Sequence, residues 1–431
     1  MFIFFKNLQA MKGIVLLCSV FLGLSFGCTK KTAAKINDAK TDNIQYLSFQ
    51  LFVSGNTEPS GDDQPLHGFI SPEEMENFFI AVRSAIGNAS TASRKPAVMI
   101  GPIALDFTNS EIASLINLSF ELAKCYDIAV GFHIDEGKFW AGRPDLWKDP
   151  ENVEWTDWNQ TPNTSCNVSW VSARLAPQIC FNAPKVKMAV HDFMANIATD
   201  IKSNLTQLQL SQKEYLYAGV IVGWEPGIYP DRDTKMSSGF HALYNEGFAP
   251  DHLPGDIDQE RVNILHEYME WISEPFISMG LPVSKTYSHT VFLPRHYYDS
   301  FVIINPDFGK KSYAEVNSFS LPEIALGTHY SPGFSTYPLH GTLDTIHALL
   351  PNSGWASSEG TNKIPDMPPS PSGYNMESYL ARHYNYGCSL VNIFAFQVRG
   401  DPFTDALNDV SQGADALAAY KKFLGGGILK E

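Results

Sequence analysis

The chain has 431 residues, more than a typical single domain, and carries 46 acidic against 31 basic side chains for a net charge of −15. That acidity excludes nucleic acid and anionic membrane as partners held through charge, and it favours neutral or cationic ligands. Six cysteines are present but none with zinc-binding spacing, so no cofactor or metal is expected from them.

Residues 11–28, MKGIVLLCSVFLGLSFGC, have a Lys-bearing start, an apolar run too short to span a bilayer, and a small residue before a cysteine. The pattern resembles a bacterial lipoprotein signal. It implies cleavage after Gly27, a lipid on Cys28, and a protein exported and anchored to a membrane of a Gram-negative bacterium. Removing residues 1–27 takes away Lys6 and Lys12 and no acid, which deepens the net charge to −17. Residues 28–43 then read as a polar tether and 44–431 as one large domain. In an exported chain, Cys166 and Cys180 in one polar loop are expected to form a disulfide, whereas Cys125 and Cys388 adjoin apolar runs and read as small core residues.

From residue 44 onward, apolar runs alternate with amphipathic stretches. Strands are expected over 44–54, 97–106, 127–135, 217–225, 281–290, 323–330, 353–359 and 388–397. Between them, SPEEMENFFIAVRSAI opens a helix at Ser71 with Pro72 in the first turn and Glu74 three residues after the cap, then places Met75, Phe78, Val82 and Ile86 on one face. Further helices are expected over 109–124, 185–209 and 258–279, near 296–302 and 341–350, and over 374–386 and 406–424. Strand and helix in alternation imply a parallel sheet with right-handed crossovers, and eight such units suit closure into an α/β barrel, a (β/α)8 TIM barrel. A doubly wound open sheet fits less well, because no Gly-rich phosphate-binding turn follows the first strand.

The third strand is followed by the longest loop, about 136–184, with Trp140, Trp147, Trp155, Trp158 and Trp170. Trp224 and Trp355 adjoin the fourth and seventh strands. Aromatic side chains in polar loops can offer flat faces to sugar rings, with Trp140 the first candidate platform; the competing expectation is a small hydrophobic cluster of the loop's own.

Glu225, in YAGVIVGWEPG, and Glu359, in NSGWASSEGTN, fall at the fourth and seventh strands. A barrel gathers the C-terminal ends of its strands around one pocket, and two carboxyls there can act on one bond, one as protonated acid and the other as nucleophile or base. Other polar residues end strands too: Asp106 on the second, His133, Asp135 and Glu136 on the third, His289 on the fifth, His329 and Tyr330 on the sixth.

With these residues in place, the chain resembles the large clan of retaining (β/α)8 glycoside hydrolases, in which the acid/base ends strand four and the nucleophile ends strand seven. The resemblance makes Glu225 of VGWEP the acid/base and Glu359 of WASSEG the nucleophile, with a carbohydrate as substrate. It implies that Tyr330 or His329 steers Glu359 and that Asp135 holds sugar hydroxyls. The clan usually has Asn immediately before the acid/base; here the position is Trp224.

Two other readings use the same residues. His133, Asp135, Glu225, His289, His329 and Glu359 could ligate a divalent metal, as in barrel isomerases and metal-dependent hydrolases. A non-catalytic glycan-binding lipoprotein would keep the Trp-rich loop and need neither glutamate.

Overall fold

The computed structural model describes residues 44–53, 69–136, 140–166, 174–291, 322–336, 342–351, 354–361, 375–394 and 413–431. The leader, Cys28, the tether, Trp170, the helix expected near 296–302 and the first residues of the one over 406–424 lie outside these. All described residues belong to one compact unit, Lys40–Glu431.

The sheet is built from β1 (Gln45–Phe52), β2 (Arg94–Ala104), β3 (Ala129–Asp135), β4 (Tyr217–Val222), β5 (Thr286–Ser288), β6 (Thr290–Val291), β7 (Gly333–Ser335), β8 (Trp355–Thr361) and β9 (Cys388–Phe394). Their spatial order is β5-β4-β3-β2-β1-β9-β8-β7-β6 and every pairing is parallel. The two ends of that row, β5 and β6, are halves of one strand parted at His289, so the sheet has no open edge. Ser288 N donates to Ser331 O at 3.0 Å and Ser331 N to Thr286 O at 2.7 Å, which sews the seam. The eight strands make a (β/α)8 TIM barrel.

Among the described residues, one helix of the outer layer follows each barrel strand: α1 (Pro72–Ile86), α2 (Asn109–Tyr126), α3 (Pro184–Leu210), α4 (Ile257–Ser278), α5 (Pro322–Ala325), α6 (Thr342–Leu349), α7 (Met376–Tyr384) and α8 (Gly413–Leu424), with two shorter helices, Pro144–Trp147 and Phe240–Asn245, in the loops after β3 and β4. The expected cap of α1 is present, with Ser71 Oγ accepting from Glu74 N and Glu74 reaching back to Ser71 N at 2.7 Å. Such a box stabilises a helix start by about 1 kcal/mol. Met75, Phe78, Phe79, Val82 and Ile86 are the buried face, as their spacing requires.

Strands β3, β4 and β8 are buried along their full length, because the parallel sheet is covered on both faces. Outward residues pack on the helices. Inward residues form a separate apolar floor in the lumen, with Tyr46, Met99, Ile221, Tyr287 and Leu390 among its members. Lys285 is buried in that floor, its Nζ 2.6 Å from Tyr217 O and 3.0 Å from Tyr46 Oη, lying over the Tyr46 ring at 4.9 Å. The N-terminal end of the barrel is thus closed, and the polar side chains collect at the other end.

One expected element is corrected. Residues 323–330 do not form the sixth barrel strand; Pro322–Ala325 is a turn of helix and the strand begins at Gly333. Pro322 can open a helix because its missing N–H is not needed there, and the short apolar run that follows reads equally well as either element. The shift moves His329 and Tyr330 to the N-terminal side of β7.

Candidate active site

Glu225 lies three residues past β4, in a tight reversal where Gly223 (φ 82°) and Glu225 itself (φ 50°) both adopt left-handed backbone. A non-glycine residue seldom takes that conformation without compensation. Here Glu225 N donates to His289 O at 3.0 Å, which pins the reversal to the break between β5 and β6. Glu359 lies within β8, directly beside Ser335 of β7 in the strand register. Both carboxyls are almost fully buried, Glu225 5 % exposed and Glu359 6 %.

His289 stands between them. Its Nε2 is 3.7 Å from Glu225 Oε1 and 3.5 Å from Glu359 Oε2, and one carboxylate oxygen of each glutamate lies within 4.8 Å of the other. The same Nε2 is 2.9 Å from Ser335 Oγ, which donates to Glu225 Oε1 at 2.7 Å. Behind it, His289 Nδ1 is 3.0 Å from His133 Nε2, and His133 Nδ1 is 3.2 Å from Gln50 Oε1. Gln50 also accepts from Asn392 Nδ2 at 2.8 Å and donates to Gly101 O at 3.0 Å. A polar chain of β1, β3, the fifth strand, β7 and β9 side chains therefore runs across the top of the lumen to the glutamate pair.

Trp224, next to Glu225, is 8 % exposed and stacks face to face on His133, with ring centroids 4.3 Å apart and planes 4° from parallel. It fixes the imidazole that backs His289. Asp135 and Glu136 are buried at the end of β3. Tyr268 of α4 donates to Glu136 Oε1 at 3.2 Å, and Tyr229 donates to Glu225 O at 2.9 Å. Burial first, and then the nearby carboxylates, raises both phenols well above the ordinary tyrosine range, so both stay protonated donors. Glu136, Gln178, Trp224, Glu225 and Tyr229 line a cavity of about 10 Å³, the room of one water molecule.

The structure brings together Glu225, Glu359, His133, His289 and Trp224. Ser335, Gln50 and Asn392 complete the cluster. Gln50 and Asn392 carried a signal, each a lone amide in an apolar strand (SFQLF, LVNIF) that must be hydrogen-bonded once buried. Ser335 carried none.

Other expectations are corrected. Trp140 is only 3 % exposed, packed in the main core with Leu146 and Phe181, and a sugar platform needs an open face. Trp155 stacks on His241 at 4.1 Å and Trp158 meets Phe240 edge-on, and Trp147 and Trp158 pack against the main core, so the described part of the long loop joins that core and forms no separate cluster of its own. Trp355 begins β8 and is wholly buried, its Nε1 donating to Tyr386 O at 3.0 Å, at the opposite end of the strand from the glutamates. His329 Nδ1 lies 2.7 Å from Glu270 Oε2 of α4, and Tyr330 donates to Ile324 O; neither steers Glu359, a place taken by His289. Asp106 lies past the end of β2 against Gly142, where it supports the long loop.

No disulfide joins Cys166 and Cys180; both are buried free thiols. Cys166 donates to Gln178 Oε1 at 3.3 Å and Cys180 to Asn182 Oδ1 at 3.2 Å. Their backbones pair elsewhere, Cys166 N with Ala176 O and Cys180 N with Asn152 O. Burial raises both thiols above the ordinary range and keeps them protonated.

Among the described residues, Glu225, His289 and Glu359 are the group whose donor atoms lie close enough for one cation. Water would complete the shell of an ion on three such donors, but the His289 nitrogen facing the carboxylates is already engaged by Ser335. The set fits a metal only if that hydrogen bond breaks.

No protein-family model and no curated protein matches the sequence. Among solved structures, the chain is similar to the catalytic domain of a beta-amylase from Paenibacillus polymyxa, with a TM-score of 0.52 at 8 % identity over 90 % of this chain and 99 % of that one. A D-allulose 3-epimerase from Methylomonas sp. (TM-score 0.39, 11 % identity, 88 % and 98 % covered) and a xyloglucan-specific beta-1,4-glucanase from a ruminal metagenomic library (0.35, 12 %, 90 % and 96 %) are looser likenesses. At these identities the likeness concerns the barrel itself, a fold that the beta-amylase domain shares across nearly its whole length.

Proposed function

We propose that this chain is a glycoside hydrolase that cleaves a glycosidic bond in an oligo- or polysaccharide by the retaining, double-displacement route. The observation that carries it is the pair of buried glutamates at the C-terminal ends of the fourth and seventh barrel strands, with carboxylate oxygens within 4.8 Å. Retaining enzymes hold their two carboxyls about 5 Å apart, whereas inverting enzymes need roughly 6.5–9.5 Å to seat a water between sugar and base. Glu225 then protonates the leaving oxygen and Glu359 attacks the anomeric carbon; Glu225 next takes a proton from the water that releases the sugar. The acidic mouth suits a neutral substrate, and the beta-amylase barrel offers a precedent for carbohydrate chemistry on this fold. For placement, we propose export with a lipid on Cys28.

A panel of glycans with mass detection identifies the substrate, and Glu359→Gln then tests the nucleophile. Turnover should fall by several orders of magnitude, the scale of loss on deleting a covalent catalyst, while the melting temperature holds. Retention of more than about a tenth of wild-type turnover would reject the assignment. Running the panel with and without a chelator tests the metal-dependent hydrolase or isomerase reading, which the proximity of Glu225, His289 and Glu359 favours; activity that vanishes with chelator and returns with a divalent ion would replace the glycosidase by it. A glycan that binds and is never cleaved would mean a binding protein.

A further inference from the structure

Ser335 Oγ is 2.7 Å from Glu225 Oε1 and 2.9 Å from His289 Nε2. A hydroxyl has one proton to give. For both contacts to be hydrogen bonds, a second proton must come from the imidazole N–H or from a protonated Glu225. The far side of His289 narrows the choice. Gln50 Nε2 donates to Gly101 O, so its Oε1 is an acceptor, and Asn392 Nδ2 donates to it and to Ser358 O. His133 Nδ1 therefore carries the hydrogen it shares with Gln50, and one proton lies between His133 Nε2 and His289 Nδ1. These proton positions follow from matching donors to acceptors.

The count then has two solutions. With Glu225 ionised, the two imidazoles hold three protons on four nitrogens and share one positive charge, 3.5 Å from Glu359 Oε2. With Glu225 protonated, Ser335 turns its hydrogen to His289 and the imidazole pair is neutral. The two differ only in which way two protons sit in the line Glu225, Ser335, His289.

We propose that Ser335 passes the catalytic proton between Glu225 and His289, so that the acid/base of the site is this three-residue line with His133 behind it. The inference rests on Glu225 being the acid/base. In the first step Ser335 takes the proton of charged His289 while giving its own to Glu225, and Glu225 passes a proton to the leaving oxygen as the bond from Glu359 to the anomeric carbon forms, which leaves His289 neutral. In the second, water gives a proton to Glu225 as Glu359 leaves as a carboxylate. Ser335 then gives its hydrogen to His289 Nε2 while taking the proton from Glu225, and the charge arrives beside the restored Glu359 carboxylate. The proton count is the same before and after the cycle. Among the described residues, the titratable groups beside this proton include Glu225 beyond β4, Glu359 on β8 and His133 on β3, with Asp135 and Glu136 buried at the end of β3.

The test uses the full chain and two aryl glycosides of the sugar the panel identifies, one with a dinitrophenyl leaving group and one with phenyl. Ser335→Ala should lower kcat/KM, which reports the first step, about tenfold or more on the phenyl substrate and far less on the dinitrophenyl one, within the range of general acid–base contributions, and should move the basic limb of its pH profile. Ser335→Thr, which restores a hydroxyl, should recover most of the loss. The proton inventory on the phenyl substrate should be curved in wild type, as for two protons in flight, and linear in Ser335→Ala. Equal losses on both substrates with an unmoved pH profile, or no loss on either, would overturn the relay and leave Ser335 as a packing residue. Glu225→Gln showing no preference between the two substrates would instead overturn the acid/base reading itself. Should Ser335→Ala fail to fold, nitrogen-15 resonances of wild-type histidines decide: a neutral His133 and His289 pair at a pH where Glu225 is ionised would reject the proposal.

Discussion

At the scale of single residues, burial decides what a polar group can do. Glu154, in the long loop, is completely buried and accepts from His241 N at 3.1 Å and Ala242 N at 3.4 Å. Desolvation outweighs those donors and pushes its pKa up to about 7 from 4.5. The folded state therefore binds a proton that the unfolded chain has already lost. The contribution of Glu154 to stability is greatest below the unfolded value near pH 4.5 and falls as pH rises to about 7, by about 3 kcal/mol at 1.36 kcal/mol per unit. Urea unfolding at pH 5 and pH 7.5 should show that drop, and Glu154→Gln should flatten it; an unchanged slope in the variant would assign the pH dependence to another group.

At the scale of elements, the seam between the fifth strand and β7 leaves no room for a side chain at Gly333. A Cβ built on Gly333 would fall 1.9 Å from Ser288 O and 2.4 Å from Ser358 Oγ, contacts that backbone cannot accommodate without moving. Gly333→Ala should cost about 1–3 kcal/mol, the usual range for overpacking, seen as a lower urea midpoint. Because Ser335 and His289 ride on the same two strands, turnover should fall with it. A stable variant with wild-type activity would mean the seam can yield.

At the scale of the whole molecule, the barrel closes its N-terminal end with the Tyr46 and Lys285 floor and gathers eight strand ends around the glutamate pair. The polar face is thus on one side only. If export leaves Cys28 as the lipidated residue, metabolic labelling with a radiolabelled fatty acid should mark the wild-type chain and spare Cys28→Ala. Equal labelling of both would refute the anchor, while the catalytic proposal would stand.

The alternation of apolar runs and amphipathic helices, the Ser71 cap and the paired positions of Glu225 and Glu359 were readable in the chain because period, capping chemistry and strand-end placement are local properties. Gln50 and Asn392 were half-readable, since a buried amide announces a need for partners without naming them. The partners themselves, His133 from β3 and His289 from the fifth strand, come from positions 83 and 156 residues apart in successive links of the network, and no local pattern encodes that. Position also reversed several readings. Tyr330 fell before its strand once the true strand limits were set, Trp355 lies buried at the start of its own, Trp140 went inward, and the two cysteines each found a hydrogen bond to another residue. Local sequence determined the kinds of element and the two carboxyls; only the closing of the barrel decided which imidazole stands between them and which hydroxyl connects it to Glu225, because those distances are fixed by the register of strands that meet solely in three dimensions.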